Sequence, residues 1–321
     1  MAISQAIAPR NAKNRPYVLK KGVSVISDLA DGGAVYGYPG DYYGRIYYVN
    51  NITGSSSYDG LSWDTPFDQL STAITASEVY RQLPSSTTNE YSRNIIYVQG
   101  TGTAYTKLST FPNHCDIIGI GANPRGYHEG VPYVQSTTGV DTVDGTCEGL
   151  YVANMQFGGT GTGYAMDLTQ ITKSAFDNCC FWNKTSGGIR IGIAGAVRFS
   201  NCQIGGGDTS NGATGFEITG DNFNACVIED CYIFGTTTGL KVTSNTNQAN
   251  NTWVRNNFIH GATIGVDDNS TMSSHNHWVF YTGNYVQSAD CFDIEGAGNG
   301  LKQIGNHANA AGSSAWEDAI S

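Results

Sequence analysis

Between residues 150 and 306 one short pattern recurs seven times: an apolar residue, a spacer, a small polar pair containing Asn or Cys, then another apolar residue. The copies are Val152-Ala153-Asn154, Phe176-Asp177-Asn178-Cys179, Phe199-Ser200-Asn201-Cys202, Ile228-Glu229-Asp230-Cys231, Val254-Arg255-Asn256-Asn257, Tyr281-Thr282-Gly283-Asn284 and Gln303-Ile304-Gly305-Asn306. Taking the last residue of each as its marker (Asn154, Cys179, Cys202, Cys231, Asn257, Asn284, Asn306), the steps run from 22 to 29 residues. A period of that size marks a solenoid in which each repeat is one coil stacked on the next. A second file keeps the same register: Gly188-Ile189, Gly215-Phe216, Gly239-Leu240, Gly265-Val266 and Cys291-Phe292 recur every 24 to 27 residues.

The repeats carry no apolar period of 3.6 residues. They are short, β-branched and aromatic, separated by Gly, Asn and Ser, which predicts strands joined by turns. The fold class expected is all-β, a right-handed single-stranded parallel β-helix, each strand lying about 4.8 Å from its equivalent in the next coil. Its inward file is then Tyr151, Phe176, Phe199, Ile228, Val254 and Tyr281, and after the turn Phe181, Ile204, Ile233, Ile259 and Val286. Gln303 interrupts the first file where the solenoid is ending. Asn suits the marker position because it tolerates the left-handed backbone of a tight bend and can bond its amide to the equivalent group one coil away. Cys fits the same corner as a small hydrophobe.

Composition agrees. Charged residues are 14% of the chain against a usual figure of about 25%, and glycine, 41 of 321 residues, far exceeds its roughly 7% average. Asn, Thr, Ser and Gly must therefore cover the surface. Three of the eight cysteines share one file on successive coils, and Met1 opens a polar, mixed segment with no secretion signal, so reduced, buried thiols made in a cytosol are expected rather than disulfides. No apolar run approaches the ~18 residues of a membrane helix, and no membrane partner is expected.

Residues 1–44 form an extended arm. Arg10, Lys13, Arg15, Lys20 and Lys21 precede the first acid, Asp28, and removing those five from the net charge of −10 leaves −15 on the remainder. A basic arm on an acidic body suits docking to a protein surface, or remains a solvated tail; nucleic acid is the weakest partner, because the body repels phosphate. Residues 45–93 contain a leading strand and an amphipathic stretch with Leu70, Ala73, Ile74 and Val79 on one face. Asp64 or Thr65 caps it, with Pro66 in its first turn, and this helix plugs the open end of the solenoid. Residues 94–308 are the β-helix, starting with less regular coils at Ile95-Ile96-Tyr97-Val98, Ile117-Ile118-Gly119-Ile120 and Val131-Pro132-Tyr133-Val134; residues 309–321 are a C-terminal tail.

The phrase Tyr47-Tyr48-Val49-Asn50, then Asp59-Gly60-Leu61-Ser62-Trp63-Asp64-Thr65-Pro66-Phe67 and Ala73-Ile74, followed by coils, resembles the opening of right-handed parallel β-helix proteins of the pectate-lyase-like superfamily, to which bacteriophage tailspikes belong. The resemblance spans about residues 45–308. It implies the fold, a virion setting and a homotrimer; for activity it admits lyases, hydrolases and purely structural members.

For chemistry, the outward residue after the glycine file is Arg190, Glu217, Lys241, Asp267 and Asp293 on five successive coils. The first three alternate in sign and predict a cross-strand charge ladder. Asp267 over Asp293, with Asp268 beside them, has three readings: carboxylates splayed into solvent, a Ca²⁺ site, or a catalytic acid pair. Lyase chemistry in the superfamily needs an acidic Ca²⁺ cluster and a nearby Arg or Lys; Lys241 is one coil away, yet no lyase motif surrounds it. His275-x-His277 lacks a third metal ligand, and Gly158-Gly159-Thr160-Gly161-Thr162-Gly163 opens no helix and reads as a turn rather than a phosphate cradle. No cofactor is expected. The function expected is a structural virion protein, decorating a capsid or projecting as a spike, attached to other virion proteins through its arm and adhesive to host surface glycan. The alternative is a tailspike depolymerase that cleaves such a glycan through Asp267 and Asp293.

Overall fold

The computed structural model describes residues 24–26, 34–36, 44–81, 93–124, 130–136, 141–159, 161–183, 185–206, 213–220, 223–243, 249–269, 279–294, 302–310 and 317–318. Arg10, Lys13, Arg15, Lys20, Lys21, His275 and His277 lie outside them. Within the arm, Ser24–Ile26 pairs antiparallel with Ala34–Tyr36.

From Ile46 onward the described residues wind through three sheets of ten, ten and nine strands, parallel throughout except at Glu317–Asp318. In the regular coils it passes from the first sheet (for example Ala175–Asp177) round a tight corner to the second (Cys180–Asn183), then to the third (Gly187–Gly195) and back to the first (Arg198–Ser200). The first sheet already begins at Ile46–Val49, which pairs parallel with Asn94–Gln99. The leading strand is therefore the first rung, and the solenoid starts well before residue 94. At the other end Glu317–Asp318 pairs antiparallel with His307–Ala310, so part of the C-terminal tail completes the second sheet.

Strand alternation sets the core. Ile96, Ile117, Val152, Phe176, Phe199, Ile228, Val254 and Tyr281 stack in one register, all buried. Tyr151, expected in that file, instead pairs with Ala175 on the outer side; Val152 is the inward residue. Phe181, Ile204, Ile233, Ile259 and Val286 form the second inward file, as the sequence pattern predicts. Phe176 stacks on Phe199 with ring centroids 4.9 Å apart, and Phe157 on Phe181 at 5.4 Å.

The polar pair at the corner divides two tasks between its members. The first member takes the left-handed conformation: Asn154, Asn178, Asn201, Asp230 and Asn256 have φ between 49° and 56°, and Gly283 and Gly305 have φ of 64° and 63°. The second member points inward and bonds along the stack. The equivalent of Cys179 is thus Met155, not Asn154, because Cys180 and Gln203 donate their N–H groups to the carbonyls of Met155 and Cys179 respectively. Asn257 Nδ2 donates to Asn284 Oδ1 at 3.0 Å, and Asn284 Nδ2 to Asn306 Oδ1 at 3.0 Å. The same oxygens accept the backbone N–H groups of Asn257 and Asn284. On the earlier coils Cys179, Cys202 and Cys231 direct their thiols at the carbonyls of Val152, Phe176 and Phe199, as the Asn amides do at Ile228, Val254 and Tyr281. All eight cysteines are buried and in no disulfide. Burial pushes the Cys202 thiol well above its ordinary range.

The helix Leu70–Arg81 closes the N-terminal end of the barrel. It buries Leu70, Ala73, Ile74 and Ser77, while Val79 is 53% exposed, so the buried face is rotated from the one expected. Ser77 belongs inside because Asn94 Nδ2 donates to its carbonyl and hydroxyl at 3.1 and 2.9 Å. Asp64 and Thr65 precede the helix by several residues and serve the loop before it, where Thr65 Oγ1 donates to Asp59 Oδ1 at 2.6 Å. Burying Leu70 and Ile74 is worth roughly 1.5–3 kcal/mol each, at an end where core side chains would otherwise meet water.

Replacing Asn284 with Ala strands the buried Asn257 N–H and takes one bond each from Asn257 Nδ2, the Val254 carbonyl and Asn306 Oδ1. The buried orphan costs about 1–3 kcal/mol and each lost bond roughly 0.5–1.5 kcal/mol, so the variant should lose about 3–5 kcal/mol in urea unfolding. Cys202→Ala, which removes one small buried group, should lose only about 1–2 kcal/mol. Equal losses would contradict the division of roles along this file.

Candidate functional site

A parallel β-helix turns half of every strand outward, so its candidate sites are files of side chains on three faces. On the third sheet the expected ladder is in register and longer than the sequence pattern showed: Asp144, Asp167, Arg190, Glu217, Lys241, Asp267 and Asp293. Arg190 forks onto Asp167, with Nε donating to Oδ1 at 2.9 Å, and lies over the Tyr164 ring. Tyr164 in turn donates to Glu217 Oε2 at 2.5 Å. This reach depends on Gly187, where a Cβ would stand 2.7 Å from the Tyr164 ring.

Of the acid pair at the end of this ladder, one member is shut off from solvent. Asp267 is 6% exposed, its Oδ2 lies 3.8 Å from Lys241 Nζ, and Asn269 donates to its Oδ1. Asp293 is its register partner and is half-buried. Asp268 does not join them. Strand alternation turns it inward, in file with Val242, where it is fully buried and accepts the Tyr281 hydroxyl at 2.9 Å. Burial and that carboxyl hold the Tyr281 hydroxyl well above its ordinary pKa. The three acids therefore do not converge, and among the described residues no group of three or more His, Cys, Asp or Glu side chains is placed to hold a metal ion.

The first sheet carries a second charged constellation, whose members are scattered over three coils and show no pattern in the sequence. Glu229, its side chain 5% exposed, is gripped by Arg255, whose Nε donates at 2.7 Å, and by Arg198. Burial alone would raise the carboxyl, but the two guanidiniums outweigh it and hold Glu229 below its usual range. Beside it Trp253 stacks on Phe280 at 4.3 Å.

The second sheet is different in kind. Its outward files read Tyr133, Gln156, Cys180, Gln203, Tyr232, Phe258, Tyr285, His307 and Gln135, Gly158, Trp182, Gly205, Phe234, His260, Gln287, Asn309. They contain no Asp, Glu, Lys or Arg, and no aliphatic side chain. Tyr232, Phe258 and Tyr285 stack with centroids 5.0 and 5.1 Å apart and planes within 13°. Alongside, Trp182 leans over Gly205 to stack on Phe234 at 5.8 Å, and Phe234 stacks on His260 at 5.0 Å. The signal was present in the chain, as the residues flanking each inward apolar residue in Tyr232-Ile233-Phe234 and Phe258-Ile259-His260.

No protein-family model matches the chain, and no characterised protein matches it in sequence. Solved structures do resemble it. The pectin methylesterase from Aspergillus niger aligns with a TM-score of 0.52 at 15% identity, over 86% of this chain and 90% of that one. Pectate lyase Pel9A aligns with a TM-score of 0.48 at 15% identity, over 84% and 78% of the two chains. Pectin methylesterase PemA from Erwinia chrysanthemi aligns at 0.46 and 12%, over 84% and 90%. At such identities the likeness is one of fold, and the first of these carries it: the chain is a right-handed parallel β-helix.

Glu229→Gln should cost roughly 1–2 kcal/mol at neutral pH, because Arg198 and Arg255 lose their shared partner while remaining partly solvated. The sign follows from the lowered carboxyl: its contribution is complete above the ordinary Glu range and drains away as pH falls through the folded-state value. Thermal melts should therefore separate wild type from variant at pH 7 and converge in acid. A constant difference at all pH values would remove Glu229 as the anchor of this cluster.

Proposed function

We propose that this chain is a rigid β-helical display protein that adheres to a surface polysaccharide through the outer face of its second sheet. The observation that carries this reading is the uncharged file of aromatic and amide side chains on that face. Aromatic rings offer apolar contact to the C–H groups of a sugar, and amides offer both donors and acceptors to its hydroxyls. The other two faces are occupied by their own ion pairs. In this reading the protein belongs to a bacteriophage particle, as a capsid decoration or spike, and the basic arm docks it to other virion proteins. The charge contrast supports docking: five cations precede an otherwise acidic chain. The superfamily likeness in the leading segment favours the virion setting.

Adhesion is favoured over cleavage by the state of the acids. Asp267 and Asp167 are tied to Lys241 and Arg190, and Glu229 is held ionised, whereas a general acid needs its proton near neutral pH. The depolymerase alternative keeps Asp267 and Asp293 as its acid pair.

The full chain should be retained on capsule or lipopolysaccharide from its host and leave the polymer's length unchanged. A chain lacking residues 1–27 should still be retained there but should no longer join particles, and attachment of the full chain should weaken as salt rises. New reducing ends or unsaturated sugars, lost in Asp267→Asn or Asp293→Asn, would replace adhesion by depolymerisation. Incorporation of the truncated chain into particles would remove the arm's role.

A further inference from the structure

We infer that the second sheet selects an uncharged glycan and holds it as a chain lying along the solenoid axis. This rests on the reading of that face as a glycan surface and adds ligand class and direction. The class follows from a contrast within one molecule. The third sheet carries a seven-residue charge ladder and the first an Arg–Glu–Arg cluster, yet from Tyr133 to Asn309 the two outward files of the face between them hold no Asp, Glu, Lys or Arg. An acidic sugar placed there finds no Lys or Arg to replace its hydration and meets a chain of net charge −10. A neutral sugar loses nothing of that kind.

Direction follows from register. The aromatic rows cross the strands, because each ring sits on its equivalent in the next coil. From the rung of Trp182 to that of Tyr285 there are four steps, roughly 19 Å at about 4.8 Å each. That length suits several consecutive sugars of one chain rather than a single terminal residue. Tyr232 is 41% exposed at the middle of the face, with Gln203 one rung before it and Gln287 beside Tyr285. The rings are already ordered by stacking, and Asn309 Nδ2 donates to the Tyr285 hydroxyl at 3.3 Å, so little conformational freedom remains to be lost on binding. Amide or glycine at seven of the sixteen positions, with no Leu, Ile, Val or Met, fits a hydroxylated ligand better than a second copy of the chain.

Affinity electrophoresis of the full chain tests this with dextran, a galactomannan and a mixed-linkage β-glucan as neutral polymers and polygalacturonate as the acidic one. At least one neutral polymer should retard the protein, insensitively to added salt, and polygalacturonate should not. Oligosaccharides of the retarding polymer should bind more tightly with length until the rows are covered. Tyr232→Ala and Gln203→Glu should each weaken binding roughly tenfold or more with unchanged melting. Retardation by polygalacturonate alone, abolished by salt, would overturn the neutral class and leave the adhesive reading standing. Length-independent affinity would overturn the axial direction. Retardation by none of the neutral polymers would overturn the inference, and self-association abolished by Gln203→Glu would assign the face to a second copy and overturn both readings.

Discussion

One backbone constraint organises this molecule: at each corner between the first and second sheets a single residue must adopt the left-handed conformation. For most side chains that conformation costs roughly 1 kcal/mol or more, and Asn, Asp and Gly bear it best. Once the corner is fixed, the N–H and C=O groups of every strand face those of the next coil, and each side chain is committed to a file. The corner residues here are Asn, Asp or Gly in every regular coil, from Asn154 to Gly305. The residue that follows is buried beneath the bend, where it must either be apolar or satisfy its own polar atoms. Cys meets the first condition, and the Asn257–Asn284–Asn306 chain the second.

This explains what could be read in the chain and what could not. The inward files and the charged ladder were legible because alternation and a period of 22–29 residues repeat in the residues themselves. The register slipped at one place, the coil of Tyr151, where the polar pair is Asn154-Met155 and the apolar second member hid the pattern. The other corner, between the third and first sheets, was invisible for a related reason. Among the described residues its left-handed ones are His114, Gly149, Lys173, Ala196, Ala225 and Asn251, which share a backbone conformation and no chemistry. Stacking against neighbouring coils imposes that conformation on Lys and Ala, which do not favour it. Asp268 was misplaced because adjacency in sequence suggested one cluster, whereas strand period places neighbours on opposite faces.

The three outer faces follow from the same commitment. In a solenoid, equivalent residues lie close enough that like charges repel and rings stack, so each file tends toward one internally consistent chemistry. The third face resolves its charges into alternating pairs from Asp167 to Asp267. The first face gathers two cations about one buried carboxylate. The second accumulates rings, amides and glycine, with the glycine at position 205 giving room for Trp182 to lean across. A rod with one uncharged face between two charged ones presents a single surface on which a neutral ligand competes with no resident ion pair.

The claim on which all of this depends is that the corner pair splits into an outward left-handed residue and an inward bonded one. Hydrogen exchange of side-chain amides, read on protein labelled selectively at asparagine, tests it directly. The amides of Asn257 and Asn284, buried and bonded along the stack, should exchange only when the coils open, while the exposed Asn256 amide exchanges at the rate of free solvent. An Asn284 amide exchanging as fast as that of Asn256 would contradict the account.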